Sequence, residues 1–227
     1  MTTVASAVRR DLGAPRAAGV AGLAFAVLMI TSLLLLRSVP PAGSTPAEFA
    51  DWYVSVGSRH LALVGLYLAP FSGIAFLWFI AVIRNHVGAH EDQFFATVFL
   101  GSGLLFVAML FAAAAAAGAP LVATKFQGSP VPSPDAVELA RALAYAFLYV
   151  YGVRMAAVFM IVVSTIAHRT AVLPRWLEVV GYAIAAVMLL SVSFFKIVVL
   201  LFPVWVAAVS LVILFAARPA VPRDLSA

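Results

Sequence analysis

Long charge-free runs dominate this sequence and leave few folds open to it. Ala17 to Leu36 carries no charged residue over 20 positions, Leu61 to Ile83 none over 23, and Phe94 to Gly118 none over 25. Ala142 to Ala167 is interrupted only by Arg154, and Val179 to Ala217, 39 residues long, only by Lys196. A helix needs about 20 predominantly apolar residues to cross a bilayer, so each of the first four runs is long enough for one crossing. The last would make nearly 60 Å of helix at about 1.5 Å per residue, twice the hydrocarbon thickness, and is expected to fold back near Ser193 and Lys196. Composition agrees, with 65% hydrophobic and 10% charged residues. Soluble domains average about 45–50% and 25%. Soluble enzymes, secreted domains, disordered chains and nucleic-acid binders are excluded on this arithmetic.

The expected architecture is all-α: a polytopic bundle of six transmembrane helices forming one membrane domain over 1–227. The spans fall at approximately 17–36, 61–83, 94–118, 142–167, 175–193 and 197–217. Between the first two, Thr45, Pro46 and Glu48 form a capping box with proline in the first turn. Phe49, Trp52, Tyr53 and Val56 then recur at helical spacing, predicting a short amphipathic helix over about 46–57. It is expected to lie flat on the outer membrane face, with a lid over an outward cavity as the alternative. Asp135 with Glu138 is expected to cap the fourth span, and Pro120 after Gly118 to stop the third. Pro70 and Pro203 fall inside helices.

Basic residues orient the chain. With both termini cytoplasmic, the inner side holds Arg9, Arg10, Arg16, Arg84, Arg169, Arg175, Arg218 and Arg223. The outer side holds Arg37, Arg59, Lys125, Arg141 and Lys196, a smaller share, as the positive-inside rule requires. The first run exceeds the length of a signal-peptide core and is read as an uncleaved anchor in a bacterial cytoplasmic membrane.

Several segments carry a family likeness. The run Arg16–Ala17–Ala18–Gly19–Val20–Ala21–Gly22, the Glu48–Phe49–Ala50–Asp51 segment leading to Arg59, Phe76–Leu77–Trp78–Phe79 ending at Arg84, and Leu173–Pro174–Arg175–Trp176–Leu177 with Gly181 are its elements. In these the chain resembles a group of uncharacterised multi-pass membrane proteins of actinobacterial, high-GC type. The resemblance implies a multi-pass topology and no particular activity.

Residues capable of chemistry are few. Without cysteine there are no disulfides, thiolate metal sites or thiol nucleophiles. The histidines, His60, His86, His90 and His168, all fall at span ends, which leaves no bis-histidine haem site inside the bundle. His86 and His90, beside Glu91 and Asp92, are read as solvated loop residues, and no metal or cofactor is expected. Ser193–Phe194–Phe195–Lys196 matches S-x-x-K but lacks the companion motifs of a serine acylase. Gly65 with Ala69, Gly101 with Gly103, and Gly181 with Ala185 are expected to let helices approach closely.

Arg154 is the sharpest feature. It lies thirteen residues after Arg141 and fourteen before His168, so about 20 Å of helix separates it from either interface. No carboxylate falls at that depth, and the expected partners are carbonyls, hydroxyls or water, with Tyr151 and Val158 on the same face. Ser72, Ser102 and Tyr67 are the candidate polar neighbours. Arg154, Tyr151, Tyr149 and Tyr145 together form the candidate intramembrane polar or ligand site, with no catalytic residues assigned. Two functions stay open. One is a non-enzymatic membrane protein that binds a protein partner, a further copy of itself, or lipid. The other is a small permease or facilitator for an anionic or carbonyl-bearing solute. A lipid-modifying enzyme is disfavoured because no acid–base pair is in view.

Overall fold

The computed structural model describes residues 2–36, 44–87, 93–126, 132–170, 173–190 and 197–216. Every regular element among them is helical, in the order α1 (Thr2–Leu36), α2 (Pro46–Val54), α3 (Val56–Val87), α4 (Gln93–Phe126), α5 (Pro134–Tyr145), a π-helical segment (Ala146–Gly152), α6 (Val153–Thr170), α7 (Arg175–Leu190) and α8 (Val198–Ala216). α5, the π segment and α6 run on as one helix. Five helices are long and apolar enough to cross a membrane: Arg16–Leu36 within α1, Val56–Arg84 within α3, α4, Pro134–Thr170, and α8.

The fifth expected span is the exception. α7 has 16 residues, about 24 Å of helix against a hydrocarbon core of about 30 Å. It is not counted among the five. Residues 191–193 of that expected span, and Lys196 with its S-x-x-K motif, lie outside the described residues.

The other boundaries moved mostly outward. α4 runs through Pro120 to Phe126 instead of stopping at Gly118. The reason is tertiary: Gly118 is buried against Leu66 of α3, so the missing side chain serves close helix approach rather than a helix stop. The Pro120 carbonyl also stays engaged, accepting from Thr124 Oγ1 at 3.2 Å. At the start of α5 the cap is Ser133, whose Oγ accepts from the Ala136 amide at 3.3 Å. Asp135 instead sits in the first turn, where a carboxylate favours the helix dipole.

The capping box of α2 is present in both directions. Thr45 N donates to Glu48 Oε2 at 2.9 Å, and Glu48 N donates to Thr45 Oγ1 at 3.3 Å. Hydrogen bonding from the Thr45 backbone amide, and then from its side chain, holds the Glu48 carboxyl below its ordinary pKa. The helix ends earlier than expected, at an extended Ser55 with ψ 112°. Val56 therefore belongs to α3 and is exposed, off the predicted apolar face. Tyr53 is buried in a small core with Ala62 and Leu63 of α3, Leu121 of α4 and Val137 of α5. α2 is thus held by the end of the bundle itself. Burial raises the Tyr53 pKa, against the opposing charge of Arg141.

The main core is aromatic at its centre. Phe25 of α1, Phe76 of α3, Phe106 of α4, Phe159 of α6 and Phe202 of α8 are each almost wholly buried in one cluster, in which Phe76 and Phe202 touch the other four. Ring centroids lie 4.7 Å apart for Phe25–Phe76 and Phe106–Phe202, 5.1 Å for Phe76–Phe159 and 5.7 Å for Phe25–Phe202. All five crossing helices contribute one ring, and α7 contributes none. Around them α1 packs most extensively on α3 and α8, and α7 packs chiefly on α6. Ser32 Oγ of α1 donates to the Gly65 carbonyl of α3 at 2.6 Å, a contact that glycine's bare backbone permits. Gly101, by contrast, has open space where its Cβ would be and contributes no close packing.

Candidate functional site at Arg154 and the α6–α7 seam

Arg154 follows the π segment by two residues. A π-helix is wound more widely than an α-helix and bonds i to i+5 instead of i to i+4. Arg154 uses carbonyls of this segment: Nη1 donates to Val150 O at 2.6 Å and to Tyr149 O at 3.4 Å. The guanidinium therefore folds back along its own helix. Its other edge, Nε–H and the two Nη2 N–H groups, has no acceptor among the described residues. The side chain is half-buried and no described carboxylate pairs with it. It sits about 30 Å from the start of α5 and about 24 Å from the end of α6.

The expected hydroxyl neighbours are elsewhere. Ser72 Oγ donates to Ala69 O at 2.7 Å, and Ser102 Oγ to Val98 O at 2.7 Å, each satisfying itself on its own helix. Tyr67 is 62% exposed. Of the three candidate tyrosines, Tyr149 meets Arg154 through its backbone carbonyl, and its ring stacks on Tyr145 with centroids 4.6 Å apart. Tyr151 points outward, 57% exposed.

The same face of α6 carries a second polar group nearer the chain's Arg169 end. Arg154, Ile161, Thr165 and His168 recur at i, i+7, i+11 and i+14 and so share one helical stripe. His168 Nδ1 meets Glu178 Oε2 of α7 at 3.0 Å, joining an exposed imidazole to a carboxylate that is only 4% exposed. Thr165 Oγ1 lies 2.8 Å from Tyr182 Oη. One residue over, a methyl group on Gly181 would collide with Ser164 Oγ and come within 3.0 Å of Trp205 Nε1. Ser164 Oγ and Trp205 Nε1 are both buried without a hydrogen-bond partner among the described residues. Arg169 stacks over Phe95 at 4.5 Å, which ties the same end of α6 to α4.

These pairs set the register of α6 against α7. The two run antiparallel, with His168 beside Glu178 and Ser164 beside Gly181. Continuing at equal rise, Leu190 at the end of α7 stands opposite residues 155–157 of α6, within about one helical turn of Arg154 in height. The described part of α7 thus reaches the height of the arginine.

Sequence reading missed the His168–Glu178 pair, although the residue types were in plain sight. His168 lies at the span end where it was expected, in the last turn of α6, but its partner was not foreseen. The partners stand ten positions apart across a turn, and only the packing of α7 on α6 brings them together. Among the described residues no three His, Asp or Glu side chains converge as a metal site would need. His90, Glu91 and Asp92 lie outside the described residues, as does the side chain of His86. Comparison with known proteins adds no name: no family, no curated protein and no solved structure matches this chain.

Proposed function

We propose that this is a membrane protein of the bacterial cytoplasmic membrane that acts by binding, without catalysis, a protein partner or lipid within the bilayer. Its fold is taken as one membrane domain with both termini cytoplasmic, of the multi-pass actinobacterial type. We read six crossings, and the direction of the helices supports that reading. α6 and α8 run parallel, since Phe159 meets Phe202 while Ser164 and Trp205 both flank Gly181. On this reading the chain returns between them, and α7 covers about 24 Å of that distance.

The observation that carries the binding role is the open edge of Arg154. A lone arginine at the centre of a spanning helix costs about 2.5–3.5 kcal/mol on insertion scales. Here one nitrogen is satisfied by helix carbonyls, and three N–H groups remain for an acceptor from outside the described fold. A second function, as a facilitator for an anionic or carbonyl-bearing solute, draws on the same edge and requires water to reach it.

Thiol labelling separates the two, and the absence of native cysteine makes the background clean. Tyr151→Cys and Val158→Cys each keep the arginine. In intact membranes, protection of both from a membrane-impermeant thiol reagent is the result expected for partner binding. Rapid labelling at Val158→Cys would replace it with the facilitator.

A further inference from the structure

We infer that Arg154 is a docking point for a carboxylate carried at mid-membrane depth by a transmembrane helix of a second, different protein. The inference rests on the binding role proposed above and names the chemistry of the partner. Three lines lead to it.

The first is the shape of what is left open. With Nη1 occupied by Val150 O and Tyr149 O, the free edge is Nε–H with Nη2–H. That edge offers two parallel donors, the geometry that a carboxylate accepts in bidentate fashion.

The second is depth. Lipid phosphates lie outside a hydrocarbon core about 30 Å thick, and Arg154 has more than 20 Å of helix on either side. A lipid headgroup therefore does not reach it. A second copy of this chain does not supply the counter-charge either. Its nine carboxylates are Asp11, Glu48, Asp51, Glu91, Asp92, Asp135, Glu138, Glu178 and Asp224. Of these, Glu178 comes nearest along the α6–α7 pair, and it sits beside His168, about 21 Å from Arg154. The stretch from Ser191 to Lys196 has no acidic residue at all.

The third is the surface at the same height. Tyr151 is 57% exposed on one side, while Val187 and Leu190, at 53% and 81%, are exposed at the end of α7 on the other. A half-buried cation flanked by open apolar side chains suits the face of a helix that carries a single acid. A soluble anion would need an aqueous approach instead.

The experiment uses the full chain in liposomes, with a fluorophore on Gly57→Cys, where a side chain meets nothing within 4 Å. The probe is a synthetic leucine–alanine transmembrane helix with lysines at both ends and one Asp at its centre. Comparison peptides carry Leu at the centre, Asn at the centre, or the Asp moved two turns toward an end. Energy transfer then reads association. The central-Asp peptide is expected to associate at least tenfold more tightly than the Leu and displaced-Asp peptides, and more tightly than the Asn peptide. Arg154→Gln should abolish the preference, and Arg154→Lys should keep part of it. Because the decisive comparison is between peptides on the unaltered protein, it does not depend on a variant folding.

Equal association of the Asp and Leu peptides, or an Asp preference that survives Arg154→Gln, overturns the inference. The labelling of Val158→Cys then shows how far the failure extends. A protected thiol leaves partner binding in place through another surface, whereas a labelled one removes that role too, in favour of a soluble anion.

Discussion

Around Phe76 five helices meet through rings alone, whereas along α7 three helices, α6, α7 and α8, meet through hydroxyls, a carboxylate and an indole N–H, two of them without partners among the described residues. The ring cluster is interlocked and shared by every one of the five long helices, and Phe76 and Phe202 each touch the rings of the other four. α7 leans on α6 along one narrow stripe, Leu177, Glu178, Gly181, Ala185 and Met188, and most of its remaining surface is open. Two different tasks are served. The rings fix the relative positions of the five long helices. The α7 side tolerates polar groups that a core selected only for stability would exclude, and its described part reaches the height of Arg154.

The contrast is broken most severely at its apolar end. Phe76→Ala removes the ring that touches Phe25, Phe79, Phe106, Phe159 and Phe202. A loss of about 3–5 kcal/mol is expected for such a truncation, measured by unfolding in detergent micelles. A loss below about 1 kcal/mol would mean that the rings are not what holds the bundle.

A smaller effect is expected where α7 is seated. Gly181→Ala places a methyl group against Ser164 Oγ and Trp205 Nε1 and should destabilise by about 1–3 kcal/mol. Adding Ser164→Ala should recover part of that, since it removes the first collision and a hydroxyl with no partner. If Gly181→Ala is silent, α7 rides loosely on α6, and the contrast with the ring cluster becomes sharper still.

The smallest effect lies outside both regions, at α2. Glu48 has a lowered pKa in the folded state, so its capping contribution is complete above the unfolded value and is lost as pH falls through the folded one. NMR titration of Glu48 should give a midpoint below that of an unstructured glutamate, and Thr45→Ala should return it toward that value. An unshifted midpoint in the unaltered chain would remove the capping box from solution.

Legibility followed the range of the interaction. The capping box of Thr45 and Glu48 spans three residues and was readable, because both partners belong to one turn. The need of Arg154 for carbonyl acceptors was readable too, since no carboxylate stands near it in sequence or depth. The π segment that presents those carbonyls was not, because Ala146 to Gly152 has the composition of an ordinary apolar helix. Pro120 and Gly118 looked like a helix stop, and only the burial of Gly118 against Leu66 shows why the helix continues. The union of His168 with Glu178 needed the register of two helices, which no local pattern encodes.

The amino-acid order alone determined that the chain is helical and membrane-embedded. Apolar runs of this length have no other way to satisfy their backbone groups in hydrocarbon. It determined as well that Arg154 has no carboxylate near it along its own apolar run, because that depends only on where nine carboxylates fall along the chain. The tertiary structure decided the rest: which phenylalanines meet, how α7 seats on α6, and which edge of Arg154 is left open among the described residues. In a bilayer every helix face is apolar enough to face lipid. Partner choice between helices therefore turns on close packing and on a few polar contacts, and both exist only once the helices are side by side.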